Sequence, residues 1–145
     1  MPTADDPHNL RRFVDAQDRE GTYETALAEL RAGRKRTHWT WFVFPQIADL
    51  GQSPISQTYA IASLAEAIAY LDHPILGPRL RESAQALLDL DAGPAEQVLG
   101  SEIDASKLRS SMTLFARAAP KDPLFQQVLE RYFGAQPDPE TERRL

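Results

Sequence analysis

Cysteine is absent from this 145-residue chain. With it go disulfide bridges, thiolate nucleophiles and zinc sites built on cysteine. Histidine is sparse. His8, His38 and His73 stand far apart without ligand spacing, so no metal site is expected. No apolar run reaches the roughly 18 residues of a membrane span. No cationic start leads into an apolar stretch, as a secretion leader would. These absences point to a cytoplasmic protein with no membrane partner and no cofactor. Basic residues are also in deficit. The formal charge is −5 and the pI about 5.2, which argues against nucleic acid as a partner.

What is present is ordinary for a globular protein: 42% hydrophobic and 26% charged residues. The length suits one domain with a sizeable core. A single domain over residues 1–145 is expected, with loose or surface-lying termini at 1–6 and 137–145. A monomer or weak homodimer is the expected state.

The densest chemistry lies in Arg34-Lys35-Arg36-Thr37-His38-Trp39-Thr40-Trp41-Phe42-Val43-Phe44-Pro45-Gln46. It holds both tryptophans and two of the six phenylalanines. No acidic residue falls between Glu29 and Asp49, whereas Arg31, Arg34, Lys35 and Arg36 do, so the charge reverses sign locally. Such a patch attracts phosphate or carboxylate, which arginine can hold in bidentate fashion. Trp39 and Trp41 offer faces on which a base or sugar could stack. The unperturbed imidazole pKa is near neutrality, so a histidine such as His38 could carry a proton. Gln46 can donate and accept. The competing reading is a buried aromatic segment behind a solvated helix end, where positive charge suits the dipole.

Elsewhere periodicity predicts helices. Asp5 and Asp6 before Pro7, then Leu10, Phe13 and Val14, predict a helix over about 7–18. Tyr23, Ala26, Leu27 and Leu30 mark a second, with Thr22 as its cap and Gly33 just past its end. Thr37 to Phe44 reads as a strand or as a short helical turn, ended by Pro45. Leu50-Gly51-Gln52-Ser53-Pro54 is a loop whose amides and hydroxyl could serve a site near the basic patch. Tyr59, Ile61, Leu64, Ala65, Ile68, Tyr70 and Leu71 predict one long helix from Ser56 to Leu71. Asp72-His73-Pro74 stops it, with His73 placed to cap. Ile75 to Leu90 is the next helix, and Pro94 opens a short one that ends at Gly100. Asp122 caps the last, with Phe125, Val128, Leu129, Tyr132 and Phe133 inward. The sum is an all-α fold, a compact orthogonal bundle of about six to seven helices.

The second informative stretch is Asp104-Ala105-Ser106-Lys107-Leu108-Arg109-Ser110-Ser111-Met112-Thr113-Leu114-Phe115. Asp104, Lys107 and Ser111 fall on one helical stripe. A serine near a lysine can be an activated nucleophile if the amine is desolvated. An ion pair with Asp104 would instead hold the lysine charged. Asp104 as a helix cap bonded to Lys107 is the structural alternative. Ser110, Ser111 and Thr113 together imply close helix packing or a polar cleft, because hydroxyls inside a helix bundle need partners.

Gly33 to Gln46, Leu50 to Ser53, His73 to Leu80 and Lys107 to Phe115 together resemble the motifs of a small bacterial family of domains of unknown function. The likeness spans about residues 6–145. It implies a compact, mostly helical single domain and no established activity. Members sometimes carry the label calpastatin, but nothing here resembles a disordered protease inhibitor. Size and helical character also resemble the YbiA-like group, small helical proteins that process ADP-ribose-type glycosides. No catalytic motif of that group aligns.

Two functions are in view. The first is a pocket for a phosphorylated or nucleotide-like small molecule, ADP-ribose being one candidate. Arg34, Lys35 and Arg36 would hold the anion, Trp39 or Trp41 would stack, and His38 and Gln46 would orient. Lys107 and Ser111 would close the far side. If a bond is broken it is a glycosidic or phosphoester bond, with His38 or Asp104 as acid–base. The second is a non-enzymatic protein-interaction module, because Trp and Arg dominate interface hot spots. A concave surface favours the first, an exposed flat apolar surface the second.

Overall fold

The computed structural model describes residues 3–91 and 93–145. The helices are α1 (Arg11–Asp18), α2 (Thr22–Ala32), α3 (Thr40–Val43), α4 (Pro54–Thr58), α5 (Leu64–Asp72), α6 (Leu76–Asp89), α7 (Ala95–Leu99), α8 (Glu102–Ala118), α9 (Leu124–Phe133) and α10 (Pro139–Arg143). No strand occurs among the described residues, where one isolated parallel bridge joins Ile47 to Ile61. The all-α class expected from periodicity is the class observed. The helix number rises because α3, α4, α7 and α10 are single turns of four or five residues.

The longest helix, α8, is the axis. It packs against α3, α5, α7, α9 and α10. Leu108, Met112 and Phe115 recur at i, i+4 and i+7, so they share one face, and all three are fully buried. Opposite stands α6, which packs on α2, α5 and α9 and buries Leu76, Leu80, Ala84 and Leu87. Aromatic contacts run through the centre. Phe13 meets Tyr70, Tyr70 meets Phe115 and Phe115 meets Phe125, with ring centroids 5.1, 5.3 and 5.9 Å apart. The rings are tilted or edge-on, as their quadrupoles prefer.

Helix ends show where side chains override periodicity. Asp6 is not the N-cap of α1, which is Leu10; its carboxylate instead accepts from Leu10 N at 2.8 Å and Arg11 N at 2.9 Å across a turn, and α1 starts later than Pro7. The single helix predicted from Ser56 to Leu71 is two pieces. Ser63 Oγ accepts from Glu66 N at 3.2 Å, and Glu66 Oε1 accepts from Ala62 N at 3.0 Å. This is a capping box whose return bond reaches one residue further back than usual. Between the pieces Arg12 gathers the chain. Its Nε donates to Thr58 O (2.8 Å), Nη1 to His8 O (2.7 Å) and Asn9 O (2.8 Å), and Nη2 to Ala60 O (2.7 Å) and Glu66 Oε2 (2.8 Å). Every guanidinium N–H therefore has an acceptor. His73 caps α6, its Nδ1 accepting from Ile75 N at 3.1 Å and Leu76 N at 3.2 Å. A Cβ on Gly77 would lie 2.1 Å from Leu71 O, so only glycine lets α6 begin this close to α5.

The chain ends make contacts of their own. Residues 3–6 form a turn with Asp6 N on Thr3 O at 3.1 Å, while residues 1 and 2 lie outside the described residues. Residues 137–145 run over the surface and are tied to α8. Arg109 donates to Gln136 O and Pro137 O at 2.9 Å each, and Thr141 of α10 is fully buried.

Candidate binding cleft

The basic segment begins where α2 stops. Gly33 takes a left-handed conformation (φ 77°), and Arg34 N turns back to Glu29 O at 3.0 Å. The chain then leaves helix geometry, with Lys35 N on Val98 O at 2.7 Å. Lys35 lies inward and its neighbours lie outward. Its ammonium is 3.0 Å from Asp104 Oδ2 and 5.4 Å from the Trp39 ring centre, with the side chain 6% exposed. Arg34, Arg36 and His38 are exposed. Arg34 borders a separate groove with Glu96, Gln97 and Gly100. The three cations of the sequence motif therefore do not converge on one anion.

Glu29 organises the rest of the segment. Its Oε1 accepts from Arg36 N (2.8 Å), Thr37 N (3.1 Å) and Trp39 Nε1 (2.8 Å), and its Oε2 from Thr37 Oγ1 (2.8 Å). Burial works against the charged carboxylate, but these donors outweigh it and hold its pKa down at about 2. Trp39 is thereby fixed in the core, fully buried, and has no face to offer a ligand. That corrects its expected stacking role.

Trp39 is the N-cap of the single turn α3, and Trp41 lies inside it. Trp39, Phe42 and Val43 face inward, and Trp41 stays half-buried at the surface. Trp41 lines a cleft of about 520 Å³ with Gln46, Leu50, Gly51, Ser53, Ile103, Lys107, Ser110, Asp138 and Glu140 among its walls. The Lys107 ammonium lies 4.6 Å from the centre of the Trp41 ring. It is also 3.5 Å from Asp104 Oδ1, so one carboxylate stands between two lysines.

Three expected site residues, Trp41, Gln46 and Lys107, thus meet in one cleft, together with the loop of Gly51 and Ser53. The others do not join them. Ser111 is fully buried, and neither its hydroxyl nor that of Thr40 finds a partner. It can neither contact a ligand nor act as a nucleophile. Asp104 sits behind Lys107, ion-paired, and is not part of the cleft wall. It does not cap α8 either, since Ser101 Oγ accepts from Asp104 N at 3.1 Å. His38 is exposed and does not line the cleft, so neither expected acid–base residue is on its wall. Sequence reading missed Ile103, Asp138 and Glu140, whereas Ser110 was among the hydroxyls expected at close packing or a polar cleft. Asp138-Pro139 was a usable signal, because Asp followed by Pro is a helix start.

Over residues 7–145 the sequence matches the family described as Protein of unknown function (DUF1810). The chain belongs to that family. The crystal structure of the conserved hypothetical protein Rv1873 from Mycobacterium tuberculosis, at 1.38 Å, is a close relative of this DUF1810 chain. The two are 47% identical with a TM-score of 0.91, over 97% of this chain and 98% of that one. No curated protein matches the chain. The family resemblance drawn from the sequence holds, and so does the helical class. Because a fold carries no function by itself, what this DUF1810 member does has to be argued from its cleft.

Proposed function

We propose that the cleft between α3, α8 and the 50–53 loop binds a small organic anion. The anionic group meets Lys107, and the flat or apolar part lies along Trp41. Charge balance at Asp104 carries this reading. Its single negative charge is shared by two ammonium groups, and Lys35 is the closer and more buried of them, at 3.0 Å against 3.5 Å. The charge on Lys107 is left largely uncompensated on the wall of a cleft. An anion is attracted there, and the amide of Gln46 supplies an orienting hydrogen bond. The volume falls in the range of about 300–1,000 Å³ typical of ligand sites. A larger hollow of about 830 Å³ lies by α1, but in its lining Asp5, Asp6, Asp15 and Asp18 outnumber Arg11 and Arg12, and no Trp, Tyr or Phe is among its walls.

The reading is binding rather than bond cleavage, because neither His38 nor Asp104 lines the cleft and Ser111 is sealed in the core. The test is tryptophan emission during titration with small carboxylates, phosphates, nucleotides and ADP-ribose. A saturable change is expected that disappears in Trp41→Phe and weakens in Lys107→Met. A change that survives both substitutions but is lost in Arg36→Ala would move the site to the exposed arginines and refute the cleft.

A second reading has one observation in its favour. Ile103, on the cleft rim, is 71% exposed, which suits a partner protein that inserts an apolar side chain.

A further inference from the structure

The cleft carries a second charge that a simple anion leaves unused. Asp138 lines it alongside Lys107. The Oδ2 of Asp138 accepts from Ser110 Oγ (3.1 Å), Thr141 N (3.0 Å) and Thr141 Oγ1 (2.6 Å). Its backbone N donates to Thr113 Oγ1 at 2.9 Å. The carboxylate is therefore fixed in orientation, yet its Oδ1 accepts nothing among the described residues. Glu140, the other acid of this wall, is already engaged by Arg143 at 2.9 Å and Arg144 at 3.4 Å.

Lys107 and Ser110 are one turn apart on α8, about 5–6 Å between Cβ atoms. Ser110 in turn touches Asp138. Lys107 and Asp138, whose Oδ1 is free among the described residues, thus line the same cleft. Among the described residues they form no ion pair with each other; Lys107 pairs with Asp104 instead. The same cleft is lined by the apolar surfaces of Trp41, Leu50 and Ile103.

We infer that the ligand is a zwitterion. Its carboxylate sits on Lys107, its ammonium on Asp138 Oδ1, and a large apolar or aromatic side chain lies against Trp41, Leu50 and Ile103. Amino acids and short peptides with such side chains are the chemical class. The inference rests on the cleft reading above and adds the second charge to it. It also disfavours a multiply charged phosphate ligand, which would set negative charge against the Asp138 carboxylate.

The experiment is calorimetric titration of the full chain with one scaffold in four charge states. L-phenylalanine is the zwitterion, N-acetyl-L-phenylalanine the anion, L-phenylalaninamide the cation and N-acetyl-L-phenylalaninamide the neutral form. The zwitterion is expected to bind at least about tenfold tighter than either singly charged form, as loss of one charge-assisted contact implies. Lys107→Met should reduce the zwitterion to the level of the amide and leave the amide unchanged. Asp138→Asn should reduce it to the level of the N-acetyl form and leave that form unchanged. If the asparagine variant melts early, the wild-type series alone decides. An N-acetyl form that binds as tightly as phenylalanine overturns the zwitterion and leaves the anion cleft standing. The zwitterion is overturned in the same way if none of the four binds while other anions still move the Trp41 signal. If neither this series nor the anion panel binds, both readings fall.

Discussion

Removing the charge of Glu29 should loosen the segment that carries the tryptophans. In Glu29→Gln the side-chain oxygen still faces Arg36 N, Thr37 N and the Trp39 indole, but the charge that strengthens those bonds is gone, and an amide replaces Oε2 opposite the Thr37 hydroxyl. A drop from 4.5 to about 2 would be worth roughly 3 kcal/mol if fully expressed. The carboxylate is open to solvent on one side, so screening leaves a cost of about 1–2 kcal/mol. The pH dependence has a definite sign. A carboxyl depressed in the folded state contributes stability above its unfolded pKa and loses it as pH falls through the folded value. The gap between wild type and Glu29→Gln should be full at pH 7 and should close between about 4.5 and 2. Urea unfolding followed by far-ultraviolet circular dichroism at pH 7 and at successively lower pH measures it. Equal midpoints at pH 7, or a gap that stays constant on acidification, would refute the argument.

Two further substitutions probe the frame around the cleft. Arg12→Lys offers fewer donors in a less directed geometry and strands carbonyls of residues 8, 9, 58 and 60, so a loss of about 2 kcal/mol is expected, seen as a melting point lower by about 4–8 °C. Ser111→Ala removes a buried hydroxyl without a partner; stability should hold or rise by up to about 1 kcal/mol, ligand titrations should be unchanged, and a loss beyond about 1 kcal/mol in the melt would show that the hydroxyl is bonded after all.

Much of the fold was legible because apolar spacing dictates which helix face turns inward. Leu108, Met112 and Phe115 on α8, and Gly33 after α2, are in the roles that period and turn chemistry assign. The break between α4 and α5 was not read, because Tyr59, Ile61 and Leu64 keep a helical rhythm across it. Ser63 and Glu66, at capping-box spacing, were the competing signal. The site was half legible. Density of chemistry pointed to residues 34–46, and Trp41 and Gln46 do line the cleft. Composition could not say that Glu29, treated as the edge of an acid-free stretch, would reach forward and draw Trp39 into the core. Nor could it say that Lys35 would spend its charge on Asp104 and leave that of Lys107 free. Both outcomes depend on contacts between residues far apart in sequence, which local periodicity does not encode.

Arg12 has a kinetic consequence. Its partners Thr58, Ala60 and Glu66 lie 46, 48 and 54 residues downstream, so its cluster forms only after a long loop has closed. A helical chain is expected to cross its folding barrier on contacts closer in sequence. Arg12→Lys should then raise the unfolding rate and leave the folding rate nearly unchanged, with a φ-value near zero. The side chain that ties the first helix to the α4–α5 segment would act as a late latch, governing how long the native state lasts rather than how quickly it is reached.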